Sequence, residues 1–419
     1  MDLRQVFAGF LTVSMFLMLG NMIKKDHFDA IQVMTITGSS GSQLDVIKVE
    51  KQTITKVSKV STTPSKETNQ EIRPCWTPPF SKDVKQSKGF ITFSLTSGPE
   101  YHISQVTDAV VIARYLSAAL VIPDIRGNKL GQKRNFQDVY DVEKFVRSLD
   151  GVIKIVRELP ADLAAGKPAV VRVPNRVSED FIIKSIEPIF RRNSYLRLAI
   201  TFPSISLKLR EQRNKDLVST ACLAMFGSLE LKSEFGEVAE WMVVRLKALA
   251  RKSDSQFIAV DLRVDDLEKN CKLRGGTRAK HCYNAQEIAD FLKKVGFGED
   301  DTIYLTQARW HESLNPLKEA FPKTYTKDDI LPAEKKGEFM KSGNAQLERA
   351  LDIHICSVSD VFVPTISSLF YGNVAGKRIA SGRTQILVPP QVLGSSSAPS
   401  DFISPHVSKK NHVAYSCYC

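Results

Sequence analysis

Along this chain the hydrophobic positions change their spacing twice. From Val6 to Ile23 they form a run, VFAGFLTVSMFLMLGNMI, that carries no charge. As a helix at ~1.5 Å per residue it is about 27 Å long, enough for a thin bilayer. From Asp26 to Lys88 apolar residues are sparse among Ser, Thr, Lys and Gln. Short stretches such as Val46–Val49 are too isolated there to build a sheet, and the composition is that of a solvated stem. From Gly89 onward, strand-like and helical periods alternate.

Phe90–Thr96 reads as a strand, Ser97–His102 as a turn, Ile103–Ala118 as a helix and Ala119–Pro123 as a buried strand. That succession is a βαβ unit. Strands are expected again at Ala169–Val173 and Leu196–Ile200. A second cycle begins at Gly236, with a helix over Glu237–Lys252, a strand over Phe257–Val264 and a helix over Asn284–Val295 capped by Asn284. It continues with a strand over Thr302–Thr306, a helix over Glu312–Ala320, a helix over Gln346–Leu351 and a strand over Ile353–Ser357. Alternation of this kind predicts an α/β fold with parallel sheets covered on both faces, in two Rossmann-like halves that meet at a cleft. The expected division is a tail at 1–5, an anchor at 6–23, a stem at 24–88, and halves at 89–235 and 236–419. A cleaved leader needs small residues at its cleavage site, and Leu19–Lys25 offers none that convinces, so an uncleaved transmembrane anchor is expected. Arg4 on one side and Lys24 and Lys25 on the other do not orient it.

Composition narrows the partners. Of 419 residues 43% are hydrophobic and 25% charged, as in ordinary globular proteins, and the net charge of +12 favours anionic partners. No recognition motif or aromatic-basic platform accompanies the charge, so nucleic acid is disfavoured. Histidines and cysteines show no metal-site spacing, so no obligatory metal or cofactor is expected. Cys271 and Cys282 bracket a basic loop. Either they staple it, with a closure gain of ~3 kcal/mol, or they remain free thiols, depending on the compartment. The chain has no Asn-x-Ser/Thr sequon.

Ligands of open parallel sheets bind beyond the carboxyl ends of the strands, and several segments read as such ends. Gly98 and His102 flank a turn at a helix start, where backbone N–H groups suit an anion. Glu100 lies in the same turn. The turn is neither a G-x-G-x-x-G fingerprint nor a P-loop. Arg263 follows an apolar strand, and its planar donor fork matches a diphosphate. Asp265 and Asp266 behind it are candidate general bases or, equally, ion-pair partners of Arg263. Ser359 and Asp360 interrupt an apolar run, and suit either nucleotide contacts or a helix cap. Arg378 and Arg383 belong to a basic stretch that suits either a leaving diphosphate or solvent.

Taken together, several stretches resemble the plant O-fucosyltransferase-like glycosyltransferases, closest to the mannan-synthesis-related branch of that family. They are Thr107–Leu116 with Leu120–Pro123, Asn135–Val142, Phe257–Arg263, Ile303–Thr306 with Phe321–Lys327, and Ser359–Pro364. The resemblance implies a GT-B-type fold, an inverting transfer from a GDP-sugar to a mannan or glucomannan acceptor, and a single-pass type II Golgi membrane protein with a lumenal catalytic part. It matches Arg263 to the arginine that grips the donor diphosphate. Asp265 and Asp266 match the following acidic residues, and Ser359, Asp360 and Phe362 the nucleotide-contacting motif. Asp352 matches the acidic residue upstream of that motif. The family's His-Leu-Arg stands here as Asp261-Leu262-Arg263, and its Gly-Gly-Leu-Asn-Gln turn as Gly98–His102. These departures raise a second reading, a non-catalytic partner that binds and stabilises a mannan synthase.

Overall fold

The computed structural model describes residues 72–76, 87–96, 98–127, 132–202, 214–252, 254–264, 283–340, 345–390 and 402–419. The expected anchor at 6–23, most of the stem, Asp265, Asp266, Cys271 and Cys282 lie outside them. No helix among the described residues is long and apolar enough to cross a membrane. The described residues all fall within one compact unit.

Among them the strands form two sheets. The first holds seven: β1 (Phe90–Leu95), β2 (Ala119–Val121), β3 (Asp124–Arg126), β4 (Lys133–Arg134), β5 (Ile155–Val156), β6 (Ala169–Pro174) and β7 (Tyr195–Thr201). β1 is central. Phe90–Phe93 pairs in parallel with β7, while its other side pairs first with β2 and then with β3. The second sheet is all parallel, in the order β10 (Thr324–Tyr325), β9 (Thr302–Leu305), β8 (Phe257–Asp261), β11 (Val361–Pro364). Every residue of β8 is buried. Phe257 and Ala259 face one core, and Ile258 and Val260 face the other, which is the period-two alternation of a strand covered on both sides. The larger core runs without a break from Ile91 and Leu198 of the first sheet to Tyr304 and Phe362 of the second.

The helices that matter for the site are α1 (Pro99–Leu116), α2 (Lys215–Gly227), α3 (Ser233–Arg251), α4 (Ala285–Lys294), α5 (Ala345–Val358) and α6 (Leu369–Ala380). Asn284 caps α4 as expected, accepting from the Glu287 N–H at 2.9 Å while Glu287 reaches back to the Asn284 N–H.

Several elements differ from expectation. The turn expected at Ser97–His102 is largely the first turn of α1, because Pro99 at its start has the φ that a helix needs and no N–H to lose. The strand expected over Phe257–Val264 ends at Asp261. Glu312–Ala320 divides into a 3₁₀ turn over Glu312–Leu314 and an α-helix from Asn315. The strand expected over Ile353–Ser357 is instead the second half of α5. Its β-branched residues alternate, but nearly every side of this segment is buried, Ile353, Ile355 and Cys356 included, and tertiary packing overrides local preference.

The carboxyl terminus returns to the first half of the unit. Cys417 is bridged to Cys222 of α2, and Cys419 to Cys75. Between them the backbone of Arg73 and Cys75 pairs antiparallel with Cys419 and Cys417. Trp76 packs edge-on against Tyr418, with ring centres 5.1 Å apart. Cys356 is a buried free thiol.

Non-reducing peptide mapping is expected to return the pairs Cys75–Cys419 and Cys222–Cys417. Because the second bridge spans 195 residues of sequence, Cys222→Ser is expected to cost about 2–5 kcal/mol in chemical denaturation. A variant as stable as the parent would sink this account of the strap.

Candidate functional site

In the second sheet the chain leaves β8 toward β9 on one side and later returns to β11 on the other. Connections diverging from adjacent strands open a crevice at their carboxyl ends, the topological switch point. The carboxyl ends of β8 and β11 meet those of β1 and β7 at one cleft of about 290 Å³. Glu100, Tyr101, Phe202, Asp261, Arg263, Arg349, Ile366, Ser368, Leu369 and Phe370 line it.

The amino ends of two helices reach this cleft. Gly98 precedes α1 with extended backbone and no side-chain cap. The Glu100 carboxylate folds back over it, and a Cβ at position 98 would lie 3.0 Å from that group. A side chain at position 98 would crowd the carboxylate where it sits against the positive end of α1. Ser368 caps α6 by accepting from the Tyr371 N–H at 3.2 Å. Asn373 of α6 donates to the Glu100 carbonyl at 2.6 Å, so the two helices are tied beside the cleft. Arg263 stands two residues beyond the end of β8 and is half-buried.

The floor is ionic. Arg349 of α5 donates to both oxygens of Asp261, at 2.8 and 3.3 Å, and Thr306 adds a hydrogen bond at 2.9 Å. The guanidinium lies 3.4 Å over the Phe370 ring. Burial opposes its charge, but Asp261 more than compensates and pushes its pKa up. A turn further along α5, Asp352 accepts from Lys327 at 2.8 and 2.9 Å and from the Tyr304 hydroxyl at 2.8 Å. Lys327 also donates to the Thr306 carbonyl at 2.7 Å. Lys327 and Asp352 are each 1% exposed. Burial lowers the lysine's pKa, and Asp352 pulls it back up.

Of the residues singled out from sequence, Gly98 borders the cleft and Glu100 and Arg263 line it. Asp352 does not reach it; its carboxylate is enclosed by Lys327 and Tyr304. His102 is buried too. Its Nε2 donates to the Thr96 carbonyl at 2.7 Å, so its Nδ1 accepts from the Tyr140 hydroxyl at 2.6 Å. Burial takes its pKa down to about 4. Ser359, Asp360 and Arg378 sit at the amino end of β11, roughly 13 Å from the cleft at ~3.3 Å per strand residue. Asp360 accepts from the Phe257 N–H at 2.9 Å, which sets the register of β11 against β8. Ser359 is buried and bonds the carbonyls around it. Arg378 is 0% exposed, and burial lowers its pKa to about 10. It donates to the carbonyls of Cys356, Ser359, Asp360 and Gln385 at 2.7–3.0 Å. Arg383 lies beyond the far end of α6, and Phe362 is core. Ser359, Asp360 and Arg378 are engaged in bonds that hold the sheet together.

Sequence reasoning passed over Tyr101, Phe202, Lys327, Arg349 and Ser368. Lys327 closes one of the resembling stretches, and Arg349 precedes Asp352 by one helical turn, so both carried a signal. Among the described residues no cluster of His, Cys, Asp and Glu is placed to hold a metal ion.

The family described as GDP-fucose protein O-fucosyltransferase matches residues 103–380. Protein MANNAN SYNTHESIS-RELATED 1 of Arabidopsis thaliana is 50% identical over 420 residues, covering 100% of this chain and 99% of that protein. Protein MANNAN SYNTHESIS-RELATED of Trigonella foenum-graecum is 46% identical over 420 residues, with the same coverage of 100% and 99%. Among solved structures, POFUT1 in complex with GDP aligns with a TM-score of 0.44 and 13% identity, over 73% of this chain and 99% of that one.

Lys327→Met is expected to cost about 3–5 kcal/mol in urea denaturation, because it strands the Asp352 carboxylate. Adding Asp352→Leu should recover much of the loss; a double variant no better than the single one would refute the pairing. His102 carries a pH signature. It resists protonation down to about 4 in the fold but protonates at 6.5 when unfolded. Stability present above pH 6.5 is therefore lost as pH falls toward 4, by about 3 kcal/mol in all. Denaturation curves at pH 7 and pH 5 should show a smaller loss for His102→Gln than for the parent.

Proposed function

The chain belongs to the GDP-fucose protein O-fucosyltransferase family, and from that premise we propose that it is a Golgi glycosyltransferase of mannan or glucomannan synthesis. Its donor is a GDP-sugar. The observation that carries this reading is Arg263 at the mouth of a switch-point cleft onto which the amino end of α6 opens. A diphosphate needs that combination of a planar guanidinium and oriented N–H groups. The names of the mannan-synthesis-related relatives support the polysaccharide acceptor.

In the proposed reaction an acceptor hydroxyl attacks the anomeric carbon from the face opposite the diphosphate. The bond from that carbon to the phosphate oxygen breaks, and GDP leaves with the electron pair. Arg263 offsets the charge that develops on the leaving group, without an obligatory metal. The acceptor proton passes to a carboxylate. Asp266, Asp265 and Glu100 are the candidates from sequence, and among the described residues Glu100 lines the same cleft as Arg263. The apolar run at 6–23 supports a type II anchor. The bridges at Cys75–Cys419 and Cys222–Cys417 support an oxidising, lumenal compartment for the folded unit.

One observation favours a second reading. Asp261 occupies the position of the family's histidine, and its carboxylate is saturated by Arg349 and Thr306. A chain that had given up a reactive side chain there would bind and stabilise a mannan synthase without transferring sugar itself.

Arg263→Ala is expected to weaken GDP binding in calorimetry and to lower transfer by about 10²–10³ with the fold intact. Glu100→Gln should keep GDP affinity and lower transfer by about 10²–10⁴. Tight GDP binding with no turnover of GDP-mannose, GDP-glucose or GDP-fucose on mannan oligosaccharides would favour the synthase partner instead.

A further inference from the structure

The cleft has an aromatic side that the transfer chemistry leaves unused. Tyr101 sits in the first turn of α1, and Phe202 directly follows β7. Their rings meet edge to face at 4.8 Å with an interplanar angle of 68°. Both line the cleft and both are only half-buried, whereas Phe136, Phe257, Phe321 and Phe362 are all under 3% exposed. Both are carried next to regular elements of the first sheet, so their geometry is held by the scaffold. Arg263 and Ser368 come from the second sheet, at its switch point.

We propose that Tyr101 and Phe202 form a platform on which a neutral pyranose ring of the acceptor stacks, separate from the side that meets the donor diphosphate. This rests on the transferase reading above. A pyranose presents a face of C–H groups, and an aromatic ring presents a face of negative potential, so the two attract while water is displaced from both. The hydroxyls of the same sugar point outward around its rim. Glu100, next to Tyr101 in the chain and lining the same cleft, offers them a carboxylate acceptor. A nucleobase is the competing occupant of an aromatic pair. The edge-to-face arrangement presents one ring face rather than a slot between parallel faces, and the apolar Ile366 and Leu369 on the second-sheet side offer the base a place nearer the diphosphate.

The test uses the full-length protein in detergent, with β-1,4-mannohexaose and GDP as separate probes in calorimetry. Phe202→Leu and Tyr101→Leu keep bulk and apolarity but remove the ring face. Each is expected to weaken mannohexaose binding about tenfold, which is ~1.4 kcal/mol, while GDP affinity and melting temperature stay at the parent's values. Phe202→Tyr should keep mannohexaose affinity. If Tyr101→Leu fails to fold, Phe202→Leu decides alone. Unchanged mannohexaose affinity in the leucine variants overturns the platform, as does a parent that binds GDP but not mannohexaose; in both cases the donor reading stands. Leucine variants that lose GDP rather than mannohexaose would assign the rings to the base. A parent that binds mannohexaose through these rings but does not bind GDP upholds the platform and overturns the donor reading.

Discussion

A carboxylate at the end of a fully buried strand has to be neutralised where it stands, and Asp261 is neutralised by Arg349 from a different element. That contact fixes the rotation of α5, because a helix that aims Arg349 at Asp261 must aim Asp352 one turn away, into the interior. Asp352 in turn requires a cation, supplied by Lys327 from the segment after β10. Thr306 joins both systems, giving its hydroxyl to Asp261 and its carbonyl to Lys327. Strand β8, the end of β9, the start of the segment after β10 and helix α5 are thereby locked in one arrangement. A buried ion pair of this kind is weak evidence for stability by itself, since its desolvation offsets much of the attraction. What it supplies is specificity of register: a slip of one residue in α5 leaves two acids and two bases buried without partners.

This network also decides what the cleft presents. Arg349 is held by Asp261 on one side and by the face of Phe370 on another, so its charge is largely spent within the floor. Arg263 is carried by the chain two residues past the same aspartate and lines the cleft. The ionic floor thus sets the direction in which the β8 chain leaves the sheet, and with it the position of the arginine at the mouth. A histidine at position 261 could not hold Arg349 in this way, because an imidazole offers no pair of oxygens to a guanidinium fork.

Much of this architecture is legible in the sequence, and the failures share a cause. Periodicity located β1, β6, β7, β8 and β9 because their apolar residues answer to a core on a local scale. It failed at Ile353–Ser357, where β-branched residues alternate within a helix packed into the core. The turn chemistry and the strand-end rule brought out Glu100 and Arg263, since both depend only on neighbours in sequence. The same rule brought out Ser359, Asp360 and Arg378, which sit at the wrong end of β11. A polar residue flanking a buried strand looks alike at either end, and only the pairing of β11 with β8 reveals which end is the carboxyl one. Arg378 is the sharpest case. Its guanidinium satisfies carbonyls from several segments that converge only in the folded chain. The disulfides were hidden for the same reason: their partners lie 344 and 195 residues apart, beyond any spacing rule.

The strap formed by those bridges and the ionic floor act on the same part of the molecule from different directions. The strap ties the carboxyl-terminal residues to α2, which packs on α1, and the first turn of α1 carries Glu100 and Tyr101. The floor ties α5 to β8, and Asn373 of α6 ties the start of α1 to the helix that Ser368 begins. The two walls meet in the continuous core and where α1 packs on α5 and α6, and Asn373 adds a hydrogen bond to the Glu100 carbonyl beside the cleft. A site built this way is held from several distant parts of the chain at once.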